Sequence, residues 1–130
     1  MPTINTSDQS GRRALVVDDN PLMRVLLSSM LMHRGYQVSE QNCAEAALTK
    51  LKEEQFDLVM LDIMMFEMSG IELCQIIREE LGLVDLPVVA YTAHGDLVNV
   101  AHMRMAGFTD FLFKPVEARK LDSVLQEIAV

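Results

Sequence analysis

A short apolar run that ends in an acid most constrains the fold of this chain. Residues 58 to 61, Leu-Val-Met-Leu, show no polar alternation, and Asp62 follows them directly. Such a run is typical of a strand buried on both faces, as in a parallel sheet covered by helices. Ligands of open parallel sheets bind beyond the carboxyl ends of the strands. Asp62 is therefore predicted to lie at the mouth of a pocket and not in the core.

Three other predicted strands end in the same way, directly before a polar side chain. They are residues 14 to 17 before Asp18 and Asp19, residues 88 to 91 before Thr92, and residues 108 to 113 before Lys114. A shorter strand is predicted around Gln37–Ser39. Because parallel strands end at the same edge of a sheet, the polar side chains that follow them are expected to share one site.

Apolar residues at helical spacing follow every predicted strand. Asn20 is a good N-cap and Pro21 suits the first helical position, so the first helix is predicted to begin there and to close at Gly35. The other helices are predicted around residues 44–51, 71–81, 97–106 and 121–128. Five strand-then-helix units with short connections predict an α/β fold: a single doubly wound, five-stranded parallel sheet with helices on both faces.

The length of 130 residues is that of one ordinary domain. Residues 1–11 are polar and are predicted to form a disordered tail or linker, which leaves residues 12–130 as the folded domain. No apolar segment has the length of a signal-peptide core or a membrane span, so a soluble, cytoplasmic protein is expected. Cys43 and Cys74 stand outside any metal-binding spacing and are predicted to be reduced thiols.

Acidic residues outnumber basic ones by 19 to 11, which gives a formal net charge of −8. This balance argues against direct binding to DNA, RNA or an anionic membrane, and it favours a basic partner or a divalent cation. His33, His94 and His102 form no metal-binding pair, and surface or packing roles are predicted for them.

The polar residues at the strand ends suit phosphoryl-transfer chemistry. Asp18, Asp19 and Asp62 cannot all stay ionised in a partly desolvated pocket without a countercharge. Mg²⁺, a hard cation that prefers oxygen ligands, would supply it. The hydroxyl of Thr92 and the ammonium of Lys114 would then stabilise a phosphoryl group on Asp62, which would act as the nucleophile.

Four segments carry a resemblance to a known family. They are ALVVDDN at 14–20, LVMLDIMMFEMSG at 58–70, VVAYTA at 88–93 and FLFKP at 111–115. In order and spacing they resemble the response-regulator receiver domains of two-component signalling, over nearly the whole chain. The resemblance implies the flavodoxin-like receiver fold and a phosphoacceptor function, in which Asp62 takes a phosphoryl group from a phosphohistidine. The donor would be a histidine kinase or a histidine phosphotransfer domain.

The same resemblance implies how the metal would be held. The ligands would be the carboxylates of Asp19 and Asp62 and the main-chain oxygen of Met64, and Asp18 would act mainly through metal-bound water. A domain of this kind catalyses its own phosphorylation and dephosphorylation but is not otherwise an enzyme.

A conformational switch is also implied by the resemblance. Thr92 matches the hydroxyl that turns toward the phosphate, and Lys114 matches the lysine that pairs with it. Phe111 stands where the family carries an aromatic that changes rotamer. Phosphorylation is therefore expected to remodel the surface of the fourth helix, fifth strand and fifth helix, through which a phosphorylation-dependent dimer could form.

One position departs from the family pattern. The family commonly has proline four residues after the phosphorylated aspartate, and this chain has Phe66, which leaves the loop less fixed in φ. Met64 and His94 match the two positions that flank the path of the hydrolytic water. Because Met64 is bulky, a long-lived phosphoryl state is predicted, and rapid loss of the label from isolated phosphorylated protein would contradict it.

Three rival functions stay open. A phosphatase of the haloacid dehalogenase type would need a second acid two residues after Asp62, where this chain has Met64. A flavodoxin-like cofactor binder would need a Ser/Thr/Gly-rich loop after the first strand, which is absent. A degenerate receiver that only binds partners is kept open by Phe66.

The receiver itself could be free-standing or the receiver of a membrane-anchored hybrid sensor kinase. The segments VVDDNPLMR and AYTAH resemble hybrid-kinase receivers slightly more.

Overall fold

The computed structural model describes residues 11–65, 67–93 and 100–128. The elements are β1 Arg13–Val17, α1 Pro21–Met32, β2 Gln37–Gln41, α2 Ala44–Glu53, β3 Leu58–Asp62, α3 Gly70–Glu79, β4 Val88–Thr92, α4 Val100–Ala106, β5 Asp110–Phe113 and α5 Ala118–Ile128. The strands form one parallel sheet in the order β2-β1-β3-β4-β5. The predicted doubly wound α/β fold is confirmed.

The strands alternate their side chains between two apolar layers. Leu15 and Val59 belong to the layer that contains buried side chains of α2, α3 and α4. Val16 and Met60 belong to the layer that contains buried side chains of α1 and α5. With helices on both faces, β1, β3 and β4 are almost entirely buried, which explains why their sequences are continuously apolar.

The beginning of α1 follows the predicted capping pattern. The side-chain oxygen of Asn20 accepts hydrogen bonds from the main-chain nitrogens of Leu22 and Met23, at 3.0 and 3.2 Å. Pro21 occupies the first helical position, where its missing N–H leaves no donor unpaired. Capping fixes the first helical turn directly after the two acids that follow β1.

Several element boundaries differ from the prediction by one to two residues. The second strand runs to Gln41 and not to Ser39, and α3 begins at Gly70. The fifth strand begins at Asp110 and not at Phe108, because Phe108 is apolar for a different reason: it is buried in the core before the strand begins. In the predicted fourth helix, residues 97–99 lie outside the described residues, and the remainder is helical.

Gly70 brings the start of α3 against the end of β3. Its main-chain nitrogen donates to the carbonyl oxygen of Ile63 at 2.9 Å. A Cβ atom at this position would lie 2.4 Å from the carbonyl oxygen of Asp62, so only glycine fits without displacing the backbone. The connection after β3 is thereby held close to the residue that ends the strand.

The remaining general predictions concern thiols and membrane spans. Cys43 and Cys74 are both free, the first partly and the second fully buried. Within the described ranges, every helix is too short or too polar to cross a lipid bilayer. The predicted tail falls almost entirely outside these ranges, which begin at residue 11.

Candidate functional site

Three carboxylates meet at the carboxyl edge of the sheet. Asp18 and Asp19 follow β1, and Asp62 ends the neighbouring strand β3. Each offers one oxygen, and these oxygens all lie within 4.8 Å of one another. We call these three carboxylates, together with Lys114 and Thr92, the acidic site. The structure therefore brings the three predicted acids and Lys114 together.

Asp62 lies deeper than predicted. Its side chain is 5% exposed, so it stands at the floor of the site and the prediction of a pocket mouth was wrong. The main-chain nitrogen of Met64 donates to Asp62 Oδ1 at 3.1 Å, and Lys114 Nζ lies 3.3 Å from Oδ2.

Burial and neighbouring charge change the acidity of Asp62. Burial and, after it, the nearby carboxylate of Asp18 raise the pKa of its carboxyl to about 6, although the ammonium of Lys114 acts in the opposite direction. The carboxylate is thus held in an environment that disfavours its charge. An additional cation at this position would relieve that cost.

The two acids after β1 occupy different environments. Asp18 is fully buried, whereas Asp19 is exposed. Asp18 Oδ1 accepts from the main-chain nitrogen of Asn20 at 2.9 Å, and Asp18 Oδ2 lies 3.4 Å from Lys114 Nζ. The solvent side of the acidic site is therefore formed by Asp19, and its inner side by Asp18.

Lys114 and Thr92 complete the acidic site from β5 and β4. The Lys114 ammonium bridges the carboxylates of Asp18 and Asp62, and the Lys114–Pro115 peptide bond that follows is cis. Thr92 ends β4, which pairs with β3, and its side chain is fully buried. One cation thus contacts two of the three acids, and Thr92 ends the strand that lies beside the one ended by Asp62.

Phe111 lies on β5, three residues before Lys114. It pairs with Ala90 in the sheet and packs at the margin of the core layer that α2, α3 and α4 cover. The guanidinium of Arg104 on α4 lies 5.1 Å from the centre of its ring. Phe66 and His94 fall outside the described residues, whereas Met64 is described and its side chain is 67% exposed.

Two contacts to Asp18 were not predicted from the sequence. Tyr91, treated as part of an apolar run, donates from its hydroxyl to Asp18 Oδ2 at 2.8 Å. Arg24 on α1 donates to the main-chain oxygen of Asp18 at 2.8 Å and forms an ion pair with Glu40. A tyrosine inside a fully buried strand is itself a signal, because a buried phenol usually finds an acceptor.

A cleft of about 700 Å³ lies at the opposite edge of the sheet. It is lined by residues at or before the starts of β1, β3 and β4, among them Arg13, Phe56 and Pro87. Arg13 in this cleft forms an ion pair with Glu54, and its guanidinium lies 4.8 Å from the centre of the Phe56 ring. At this edge, which we call the amino edge, the charge of Arg13 is therefore compensated.

Comparison with known proteins shows which family this chain belongs to. The family model for the response regulator receiver domain matches residues 14–126. The chain belongs to this family. The receiver spans both Asp18 and Lys114, so all the residues of the acidic site fall within the matched region.

Curated relatives are about one third identical to this receiver over the matched region. The heme response regulator HssR of Staphylococcus saprophyticus is 35% identical over 107 residues, which cover 82% of this chain and 46% of that protein. The two-component response regulator ARR12 of Arabidopsis thaliana is 37% identical over 120 residues, which cover 91% of this chain and 20% of that protein. The receiver thus spans at most about half the length of these relatives.

Solved structures show the same fold. The receiver domain of NtrX from Brucella abortus is 29% identical with a TM-score of 0.82, and the match covers 88% of this chain and 96% of that one. A signal receiver domain of a signal transduction histidine kinase from Syntrophus aciditrophicus is 28% identical with a TM-score of 0.82, covering 91% and 89%. The family and the fold place this receiver in two-component signalling.

Proposed function

We propose that this receiver accepts a phosphoryl group on Asp62 from a phosphohistidine in a Mg²⁺-dependent reaction. The observation that carries the proposal is the enclosure of the Asp62 carboxylate between two further carboxylates and the Lys114 ammonium at 3.3 Å. A solvated acid at a strand end would need neither the enclosure nor the countercharge.

The donor set of the acidic site fits a hard divalent cation. Three carboxylates face one ammonium, which leaves a formal excess of two negative charges in a largely buried site. Asp19, Asp62 and the main-chain oxygen of Met64 would hold the metal, and Asp18 would act through water. Bound Mg²⁺ would neutralise the carboxylates and the charge on the phosphoryl oxygens.

In the proposed reaction, a carboxylate oxygen of Asp62 attacks phosphorus and forms the O–P bond of an acyl phosphate. The N–P bond of the phosphohistidine breaks, and the departing imidazole takes up a proton from solvent. Lys114 would compensate the charge on the phosphoryl oxygens, and Thr92 would donate its hydroxyl to one of them. Self-catalysed hydrolysis would return Asp62 to its carboxylate.

The output would be a conformational change that starts at Thr92. Movement of its hydroxyl toward the phosphoryl group would let Phe111 change rotamer and remodel α4, β5 and α5, through which a dimer could form. Chemical shifts of α4 and β5 should therefore change on phosphorylation of the wild type and stay unchanged in a phosphorylated Thr92→Ala variant. Equal changes in both proteins would contradict the switch.

The protein that donates the phosphoryl group would dock next to the acidic site. Leu22, Val25 and Leu26 on α1 are 75%, 54% and 45% exposed, and their spacing places them on one helix face. This face begins three residues after Asp19. An apolar surface beside the site suits a histidine kinase or a histidine phosphotransfer domain.

Labelling rates with a small phosphoryl donor and with a protein donor separate the effect of docking from the effect on the chemical step. A Leu22→Glu, Val25→Glu variant should be labelled by acetyl phosphate as fast as the wild type. Transfer from a phosphorylated histidine phosphotransfer domain should be slower in the variant. Equal rates with the protein donor would contradict docking on this face.

The receiver could operate alone or within a hybrid sensor kinase on the cytoplasmic side of a membrane. The partial coverage of the curated relatives and the histidine kinase receiver among the structural neighbours support a larger protein. Fractionation of cells with an antibody to this domain would decide between the two. A long polypeptide in the membrane fraction would support the hybrid kinase, and a soluble one of 130 residues would contradict it.

Acetyl phosphate tests the proposed function without a protein donor. Intact mass of the wild type should increase by one phosphoryl group with Mg²⁺ and stay unchanged without it, and Asp62→Ala should gain none. No gain in the wild type would favour the degenerate receiver, in which the acidic site serves only partner binding. Continuous turnover of a small phosphate ester would favour the phosphatase instead.

A further inference from the structure

Tyr91 reaches across the sheet to the acidic site. It lies on β4, and Asp18 follows β1, with β3 between the two strands. Two strand spacings amount to roughly 10 Å, so a side chain must be long to cover the gap. The Tyr91 hydroxyl does so and donates to Asp18 Oδ2 at 2.8 Å, with both side chains fully buried. A serine or threonine at this position could not make the contact.

The hydrogen bonds to Asp18 leave its carboxylate little freedom. Oδ2 accepts from the Tyr91 hydroxyl, and Oδ1 accepts from the main-chain nitrogen of Asn20 at 2.9 Å. Lys114 Nζ lies 3.4 Å from Oδ2 and 5.1 Å from the centre of the Tyr91 ring. Both oxygens are thus tied to protein groups on the inner side of the acidic site, and the plane of the carboxylate is fixed from two directions.

We propose that Tyr91 is a positioning residue for the metal, acting through Asp18. Its hydroxyl holds the Asp18 carboxylate in the orientation that binding of the cation requires, so that little rearrangement is needed when Mg²⁺ enters. Partners that orient metal-binding carboxylates in this way typically contribute ten- to a hundredfold to metal affinity. The role rests on the proposed function, because it requires that the acidic site binds Mg²⁺.

Tyr91→Phe removes the hydroxyl and keeps the ring that fills the core. Titration calorimetry of the unphosphorylated protein with Mg²⁺ should show about tenfold weaker binding in the variant. Tyr36→Phe is the matched control, because Tyr36 is buried after α1 and its change should leave the affinity unaltered. Labelling by acetyl phosphate should need more Mg²⁺ in Tyr91→Phe but reach the wild-type rate at saturation.

A second pair of variants tests whether the effect passes through Asp18. In an Asp18→Asn background, Tyr91→Phe should cause no further loss of Mg²⁺ affinity. The same tenfold loss in both backgrounds would overturn the proposed route. If wild type and Tyr91→Phe bind Mg²⁺ equally, the role of Tyr91 is overturned while the proposed function stands. A wild type that binds no Mg²⁺ overturns both.

A spectroscopic measurement applies even if Tyr91→Phe does not fold. The chain has two tyrosines and no tryptophan, so Tyr91 is the sole tyrosine in a Tyr36→Phe variant. Its emission should change on Mg²⁺ addition with the midpoint that calorimetry gives, because the cation would enter beside the carboxylate that the hydroxyl contacts. Emission that ignores saturating Mg²⁺ would contradict the proposal.

Discussion

The two edges of the sheet differ in what they offer a ligand. The amino edge has a cleft of about 700 Å³, but Arg13 there is already engaged with Glu54 and Phe56. The carboxyl edge has three carboxylates that share one ammonium, that of Lys114. Unbalanced charge in a buried place, and not the size of a cleft, marks the functional end of this receiver.

The same comparison appears in the acidity of one residue at each edge. Burial raises the pKa of Asp62, whereas hydrogen bonds from Lys50 and Arg13 lower the pKa of Glu54 at the amino edge. The environment of Asp62 thus destabilises its charged form, whereas the environment of Glu54 stabilises its charged form. Opposite electrostatic consequences are therefore expected when each is neutralised.

Removal of the divalent cation should have the largest effect. Without Mg²⁺ the carboxylates repel the incoming phosphoryl group, and a metal contributes several kcal/mol of charge stabilisation in such transition states. Labelling by acetyl phosphate in EDTA should therefore be slower by at least about a hundredfold. Restoration by excess Mg²⁺ is the control, and full activity in EDTA would contradict a role for the cation.

Lys114→Met should have the next largest effect. The substitution removes the ammonium that lies 3.3 Å from Asp62, and loss of one such charge-stabilising group costs about a hundredfold in rate. Lys50→Met is the matched control at the amino edge, where Lys50 pairs with Glu54. Single-turnover labelling should distinguish the two, and similar rates for both variants would contradict the assignment of Lys114.

Asp62→Asn should stabilise the fold when no divalent cation is present. The folded protein holds the carboxyl pKa near 6 instead of 3.8, so it binds more protons than the unfolded chain between these pH values. Wild-type stability therefore falls as pH rises through this window. The variant should gain about 2 to 3 kcal/mol above pH 6 and nothing below about pH 4, measured by urea unfolding in EDTA.

Glu54→Gln provides the contrasting measurement at the amino edge. Because the folded state lowers the pKa of Glu54, its charge stabilises the fold above the unfolded pKa, and that contribution disappears as pH falls. The variant should lose a little stability near pH 7 and none at low pH. A gain comparable to that of Asp62→Asn would contradict the difference between the edges.

Met64→Ala should have the smallest effect. The Met64 side chain is exposed, and its main-chain nitrogen donates to Asp62, so truncation leaves that hydrogen bond in place. If the side chain hinders the hydrolytic water, the phosphorylated variant should lose its label several-fold faster than the wild type. A decay rate equal to that of the wild type would show that Met64 does not set the lifetime.

The sequence predicted features that depend on local patterns. Buried runs located the strands, Asn20 located the start of α1, and the acids at strand ends located the acidic site. Features that depend on strand register, or on how the connections fold back onto the sheet, could not be predicted from local sequence patterns. The contact of Tyr91 with Asp18 joins residues 73 positions apart across an intervening strand, and the close approach of Gly70 to the Asp62 carbonyl joins the start of α3 to the end of β3.

Mapping of the phosphoryl group would show directly whether Asp62 is the residue that accepts it. Wild-type receiver labelled by acetyl phosphate in Mg²⁺ would be reduced with borohydride, which converts an acyl phosphate of aspartate to homoserine, and sequenced by tandem mass spectrometry. We expect homoserine at position 62 alone. Homoserine at Asp18 or Asp19, modification of an acid at the amino edge, or a phosphoryl group on a histidine would contradict it.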